Sequence, residues 1–176
     1  MLRRWREALL LFLILIYTVT CTRSNSSEKN VERMCRDVLL ISREIGDNIS
    51  RLDDISRQMT TIVKMSSDYN DNINIVFVLE KLNLMRVIAS YEQKSLNLFC
   101  HVKEDYLTDF CQDRLDSLQR TVGLTALHTE TIRNFSQKIS NDAAKHQLAE
   151  AMKTLQSTSD LYQRSITVFR SLRSSK

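Results

Sequence analysis

Three histidines, four cysteines and three asparagines in Asn-x-Ser settings are the residues of this 176-residue chain whose chemistry could define a function. His101 with Asp105, and His146 with Glu150, stand four apart, the spacing that brings two side chains together on one helix face and that a general acid–base pair would need. A chain with 26% charged residues produces such pairs routinely, so these and His128 read as solvated or capping groups. Nothing else supplies a catalytic frame. There is no Gly-x-Ser-x-Gly elbow, no glycine-rich phosphate loop and no His-Glu-x-x-His helix. With two glycines, Gly46 and Gly123, and no proline, the chain has little means of building an oxyanion or phosphate cradle.

Carboxylates projecting into a helical core could still work with a metal, but that design needs Glu-x-x-His on two helices. The residues three before His101, His128 and His146 are Leu98, Thr125 and Ala143. The cysteines, Cys21, Cys35, Cys100 and Cys111, contain no Cys-x-x-Cys pair that would suggest zinc. The expectation is a non-enzyme with no catalytic residue, no cofactor and no metal.

The sequons Asn25-Ser-Ser27, Asn48-Ile-Ser50 and Asn134-Phe-Ser136 become meaningful only if the chain is exported. Its beginning argues that it is. Arg3, Arg4 and Arg6 precede an apolar run, residues 8–19, followed by the polar stretch Thr22-Arg-Ser-Asn-Ser-Ser27. This is the layout of a secretory signal peptide over residues 1–21. The run is shorter than the roughly 20 residues that span a bilayer, which favours cleavage, after Cys21 or nearby, over an anchor. An uncleaved segment would make a type II single-pass protein, its basic end cytoplasmic and its domain luminal or extracellular. Removing residues 1–21 takes away three arginines and one glutamate. The mature chain then carries 22 basic and 20 acidic side chains, and a net charge of +2 makes no case for nucleic acid.

The elements that position these residues read as helices. From Val31 a heptad pattern runs through Met34, Val38, Ile41, Ile45, Asn48, Leu52, Ile55, Met59 and Ile62, with Cys35, Ile49 and Val63 widening the stripe. This predicts a first helix from about Glu28 or Asn30 to Lys64 or Met65 after a flexible leader, residues 22–29. Ser66 to Asn72 is rich in residues that bond their own backbone and predicts a break. A second helix, about Ile73 to Cys100, buries Ile75, Val78, Leu79, Leu82, Met85, Ala89 and Leu96; its start, Ile75-Val-Phe-Val-Leu79, is apolar all round. A turn is placed at residues 101–108. A third helix carries Cys111, Leu115, Leu118, Val122, Thr125, Ile132, Phe135 and Ile139, kinked or divided at Gly123. Ser140-Asn-Asp142 caps a fourth, with Leu148, Ala151, Leu155, Tyr162, Ile166, Phe169 and Leu172 facing inward and residues 173–176 fraying.

Four arms of about thirty residues, each roughly 45 Å long, joined by short links, specify an all-α domain over residues 30–172, an antiparallel up-down-up-down bundle. The alternative joins the second and third helices into one long rod that a second chain would have to cover. In the bundle Cys35, Cys100 and Cys111 share one pole. Cys100, between the other two helices, is the expected member of a disulfide, with either Cys35 or Cys111 as its partner. The cysteine left over could tie two chains into a homodimer. Of the asparagines, Asn25 lies in the leader and Asn134 faces outward, while Asn48 falls on the core seam, either as a glycan acceptor or as a buried polar residue that fixes register.

Function follows from class alone. The first reading is a secreted protein that binds a protein partner or receptor through exposed helix faces. A cytokine-type up-up-down-down order is disfavoured, since a crossover of ~45 Å takes at least about 13 extended residues and the links are shorter. The others are an exchangeable apolipoprotein-like lipid binder and a coiled-coil oligomer or type II membrane tether.

Overall fold

A computed structural model describes the backbone of residues 2–174 and the side chains of residues 29–171 except 104. Four helices follow one another: α1 (Leu2–Met65), α2 (Tyr69–Leu98), α3 (Glu104–Ser136) and α4 (Asp142–Ser174), with a 3₁₀ turn at Phe99–His101. No strand occurs among the described residues. The chain divides into two units, residues 1–36 and residues 37–176. The first is the helical stretch that contains the arginine-flanked apolar run. The second is a four-helix bundle.

The α1–α2 and α3–α4 links are made by residues that compete with helix for backbone hydrogen bonds. Asp68 caps α2, its Oδ1 accepting from the Asp71 amide at 3.0 Å, and Ser66 Oγ accepts from the Asp68 amide at 3.1 Å. The expected seven-residue break is therefore only residues 66–68, because the cap starts the helix at once. Asn141 caps α4 by accepting from the Ala144 amide at 2.9 Å, as Ser140-Asn-Asp142 predicts. Between α2 and α3 the chain turns through the 3₁₀ segment, Val102 and Lys103, so α3 begins at Glu104 inside the stretch expected as a turn. Leu107, in that stretch, is already buried. This turn rules out the continuous α2–α3 rod.

Two other expectations are corrected. Residues 22–29 are helical, part of α1, where a leader was expected; with no glycine or proline they contain no obligate breaker. α4 runs to Ser174, and residues 175–176 lie outside the described ones. Gly123 neither kinks nor divides α3; it is exposed, with nothing within 4 Å of where a Cβ would stand. Gly46 has a different reason to lack a side chain. A Cβ there would come 2.5 Å from Gln93 Nε2, which donates to the Ser42 carbonyl at 3.2 Å and so brings α2 close to α1.

The heptad seam forms the core. Val38, Ile41, Ile45, Leu52, Ile55 and Met59 of α1 are buried, as are Ile75, Val78, Leu82, Met85, Ala89 and Leu96 of α2. The half of the bundle near the α1–α2 and α3–α4 links is one cluster with Ile132, Ile139, Ala144, Leu148, Ala151 and Leu155. The other half is built around Phe99, whose ring lies 5.3 Å from that of Phe169 and 6.4 Å from that of Phe110. Fully burying one such side chain stabilises the fold by about 1.5–3 kcal/mol, so these stripes hold the helices side by side.

Pairing follows chain order. Asn48 of α1 donates to Ser157 and Thr158 of α4, both at 3.1 Å, and Glu44 accepts from Arg164 at 2.9 Å. Ser117 and Thr121 of α3 donate to Glu92 of α2. At the linked pole Asp71 of α2 accepts from the Ser140 amide, the Ser140 hydroxyl and the Asn141 amide, each at 2.8 Å. Asp71 is only 4% exposed, so this carboxylate fastens the start of α2 to the α3–α4 link across the bundle.

Candidate binding surface

α2 has two apolar stripes. The first, from Ile75 to Leu96, is used up in the core. The second runs along the opposite side: Ile73, Val76, Phe77, Leu84, Val87, Tyr91 and Leu98 are between 41% and 57% exposed. Isolated exposed leucines are ordinary, but these recur at helical spacing along nearly the whole helix. Residues 73 to 98 cover roughly 38 Å of helix, and a strip about 10 Å wide over that length is on the order of 400 Å², within the range in which a patch marks an interaction site. Among the described residues α4 exposes no large apolar side chain and α1 exposes Leu39, Leu40 and Met65, so the long exposed apolar stripe belongs to α2.

α3 extends this face. Phe77 stacks on Phe135 with centroids 5.5 Å apart, and Leu124 and Leu127 of α3 are 42% and 61% exposed. Cations cover the aromatic ends: Arg114 lies 5.8 Å from the Tyr91 centroid and 5.8 Å from that of Phe110, and Lys138 lies 5.2 Å from that of Phe135. On the α2–α3 seam, burial and then the charge of Lys81 push the His128 pKa below its ordinary 6.5. That imidazole is neutral at pH 7 and adds no charge to the face.

The inner side of the same helix carries an unexpected carboxylate. Glu92 is 2% exposed; its Oε1 accepts from Ser117 Oγ at 2.7 Å and Thr121 Oγ1 at 3.0 Å, and its Oε2 is buried with no partner among the described residues. The Tyr162 hydroxyl of α4 is buried in the same condition, and burial, then the negative charge of Glu92, pushes its pKa up. With Asn48 and Thr158 these groups form a polar waist, which pins helix register and is closed to solvent.

The sequence-predicted site residues separate. His101 ends the 3₁₀ turn and Asp105 lies in the first turn of α3, so this pair does not share one helix face; His146 and Glu150 are both exposed on α4. Among the described residues no group of three or more His, Cys, Asp or Glu is arranged to hold a metal ion. A polar groove of about 880 Å³ between α1 and α2 contains Arg57, Lys64 and Arg86, but Arg57 is paired with Asp54, and Arg86 with Asp53 at 2.7 Å.

Of the two candidates to accompany Cys100, Cys35 is the oxidised one: Cys35 and Cys100 are both disulfide-bonded, and Cys111 keeps its thiol. Cys111 is 5% exposed and burial pushes its pKa up to about 11, so a homodimer tied through Cys111 would require opening the core. Asn134 is exposed, as expected of an acceptor. Asn48, expected either as a glycan acceptor or as a buried polar residue that fixes register, is buried, and its Nδ2, the atom a glycan would need, donates to Ser157 and Thr158. The side chains of Asn25 and Cys21 lie outside the described residues. Among the described residues no helix is long and apolar enough to cross a membrane.

Sequence reasoning found the inner stripe of α2 and missed the outer one. The signal was there in Ile75 to Leu79, apolar on every side. Comparison with family models, with curated proteins and with solved structures found no match.

Proposed function

We propose that this chain is a secreted, non-catalytic helical-bundle protein that binds a protein partner through the outer face of α2 and the adjoining flank of α3. The observation that carries the reading is the second stripe of α2. A helix whose inner residues already satisfy the core gains nothing for folding from seven exposed apolar residues on its other side. Such a surface is stabilised only when something covers it. Its composition suits a protein: Phe77, Tyr91 and Arg114 are of the types that anchor interfaces, set on a rigid helix that loses little entropy on binding.

The export reading rests on the arginine-flanked apolar segment at the N-terminus and on oxidised cysteines, which suit an oxidising compartment. A glycan on Asn134, and one on Asn25, belong to the same reading. Protein binding is preferred to lipid exchange because opening the bundle would break the Asp71 clamp and uncover Glu92.

The test is purification from culture medium, followed by binding of the labelled protein to receptor-bearing cells and to phosphatidylcholine vesicles. Binding to cells that saturates and is competed by unlabelled protein supports the proposal. Clearing of vesicles without saturable cell binding overturns it in favour of the lipid reading.

A further inference from the structure

Resting on the reading that α2's outer face binds protein, we infer that its partner is a second copy of this chain, paired antiparallel along α2 about a twofold axis between residues 85 and 86. The face follows one helical line, residues 73, 77, 80, 84, 87, 91, 94 and 98, all exposed. Steps of four and three alternate along it, which is the seam of a coiled coil. Turned end for end, the line superposes on itself: Leu84 meets Val87 of the second copy, Ile73 meets Leu98, Glu80 meets Tyr91 and Phe77 meets Lys94.

Charge decides between orientations. Glu80 and Lys94 are the only charged residues on this line, and they have opposite signs. In the antiparallel arrangement Lys94 lies three residues, about 4.5 Å along the axis, from Glu80 of the other copy, and symmetry makes the contact twice. A parallel pair would set Glu80 against Glu80 and Lys94 against Lys94. Neither residue is committed within its own chain: among the described residues Lys94 has no ion pair, and Glu80 has only its neighbour Lys81 at 3.5 Å. Leu124 and Leu127 of α3 widen the contact. Each copy would cover on the order of 400 Å², roughly 800 Å² in total before that flank is added, which sets the dimer among weak, concentration-dependent ones.

The experiment is light scattering on the full secreted protein through the micromolar range, with thermal unfolding of each variant as a folding control. The wild-type mass rises from one chain toward two. Glu80→Lys and Lys94→Glu each shift the midpoint about tenfold or more to higher concentration, since each replaces two attractions by two repulsions. The double reversal restores it to within about threefold. A wild-type protein that is monomeric throughout, single reversals without effect, or a double reversal that fails to restore overturns the inference. Cell binding by the Leu84→Glu, Val87→Glu variant separates this from the broader reading. If the wild type is a monomer and the variant loses cell binding, only self-pairing fails. If the wild type is a monomer and the variant binds cells normally, both fail.

Discussion

Asp71→Asn preserves the shape of the side chain and removes its charge, at the one carboxylate that fastens α2 to the α3–α4 link. Three donors converge on the wild-type group at 2.8 Å, two of them main-chain amides. In the variant one amide oxygen still accepts, but the new NH₂ faces an amide that can only donate. Hydrogen bonds to a charged group contribute about 1.5–3 kcal/mol each, so losing one and weakening the others costs about 2–4 kcal/mol at neutral pH. At about 2–4 °C per kcal/mol for a chain of this size, the melting temperature falls by roughly 4–16 °C.

The pH dependence makes the test specific. Burial works to raise the Asp71 pKa, but the hydrogen bonds from Ser140 and Asn141 and the charge of Lys145 outweigh it and hold the pKa below its ordinary 3.8. A carboxylate depressed in the folded state contributes stability that is fully present above 3.8 and is lost as pH falls through its folded value. The gap between wild type and variant is therefore constant from pH 7 to about 5 and closes below pH 3.8. Circular dichroism melts at 222 nm in helical signal, from neutral pH to the acid limit of folding, give both quantities. A variant within about 0.5 kcal/mol of wild type at pH 7, or a gap that stays open in acid, refutes the reasoning.

Other outcomes follow from the same geometry. Gly123→Ala raises stability by about 0.5–1 kcal/mol, since the methyl meets nothing and helix propensity improves; chemical denaturation reads this as a higher midpoint with an unchanged slope. Cys111, its pKa pushed up to about 11, resists a maleimide in the native protein at pH 7.5 and reacts after denaturation without reductant, whereas Cys35 and Cys100 react only after reduction; intact mass counts the labels. Asn48→Gln leaves the glycan mass unchanged and destabilises the bundle by about 1–2 kcal/mol through its contacts with Ser157 and Thr158, whereas Asn134→Gln removes a glycan at little cost in stability.

The bundle was legible because a heptad pattern in α1 constrains every fourth and third residue over many turns, and the same side chains from Val38 to Met59 are buried. Caps were legible where the capping chemistry is local, as at Asn141. The α2–α3 turn was misplaced because no glycine or proline marks it, and Leu107, set among polar neighbours, looked like part of a loop. Asp71 was read as part of the break before the second helix, and Glu92 was read past because an acidic residue on an amphipathic helix is ordinarily solvated. Only the contacts from Ser140 and Thr121, 69 and 29 residues away along the chain, explain their burial. The outer stripe of α2 was hidden for a related reason. When a helix is apolar on two sides, periodicity says that both exist, and only packing says which one the core takes.

The most direct test of that division is to perturb each stripe of α2 in turn and to record melting and saturable cell binding on the same samples. Leu84→Glu with Val87→Glu melts within about 2 °C of wild type and no longer binds, as expected for exposed positions outside the core. Leu82→Ala, with its side chain fully buried, loses about 2–5 kcal/mol of stability yet binds with wild-type affinity wherever it is folded. An outer-stripe variant that melts as low as the Leu82→Ala protein, or that binds as well as wild type, would contradict that division.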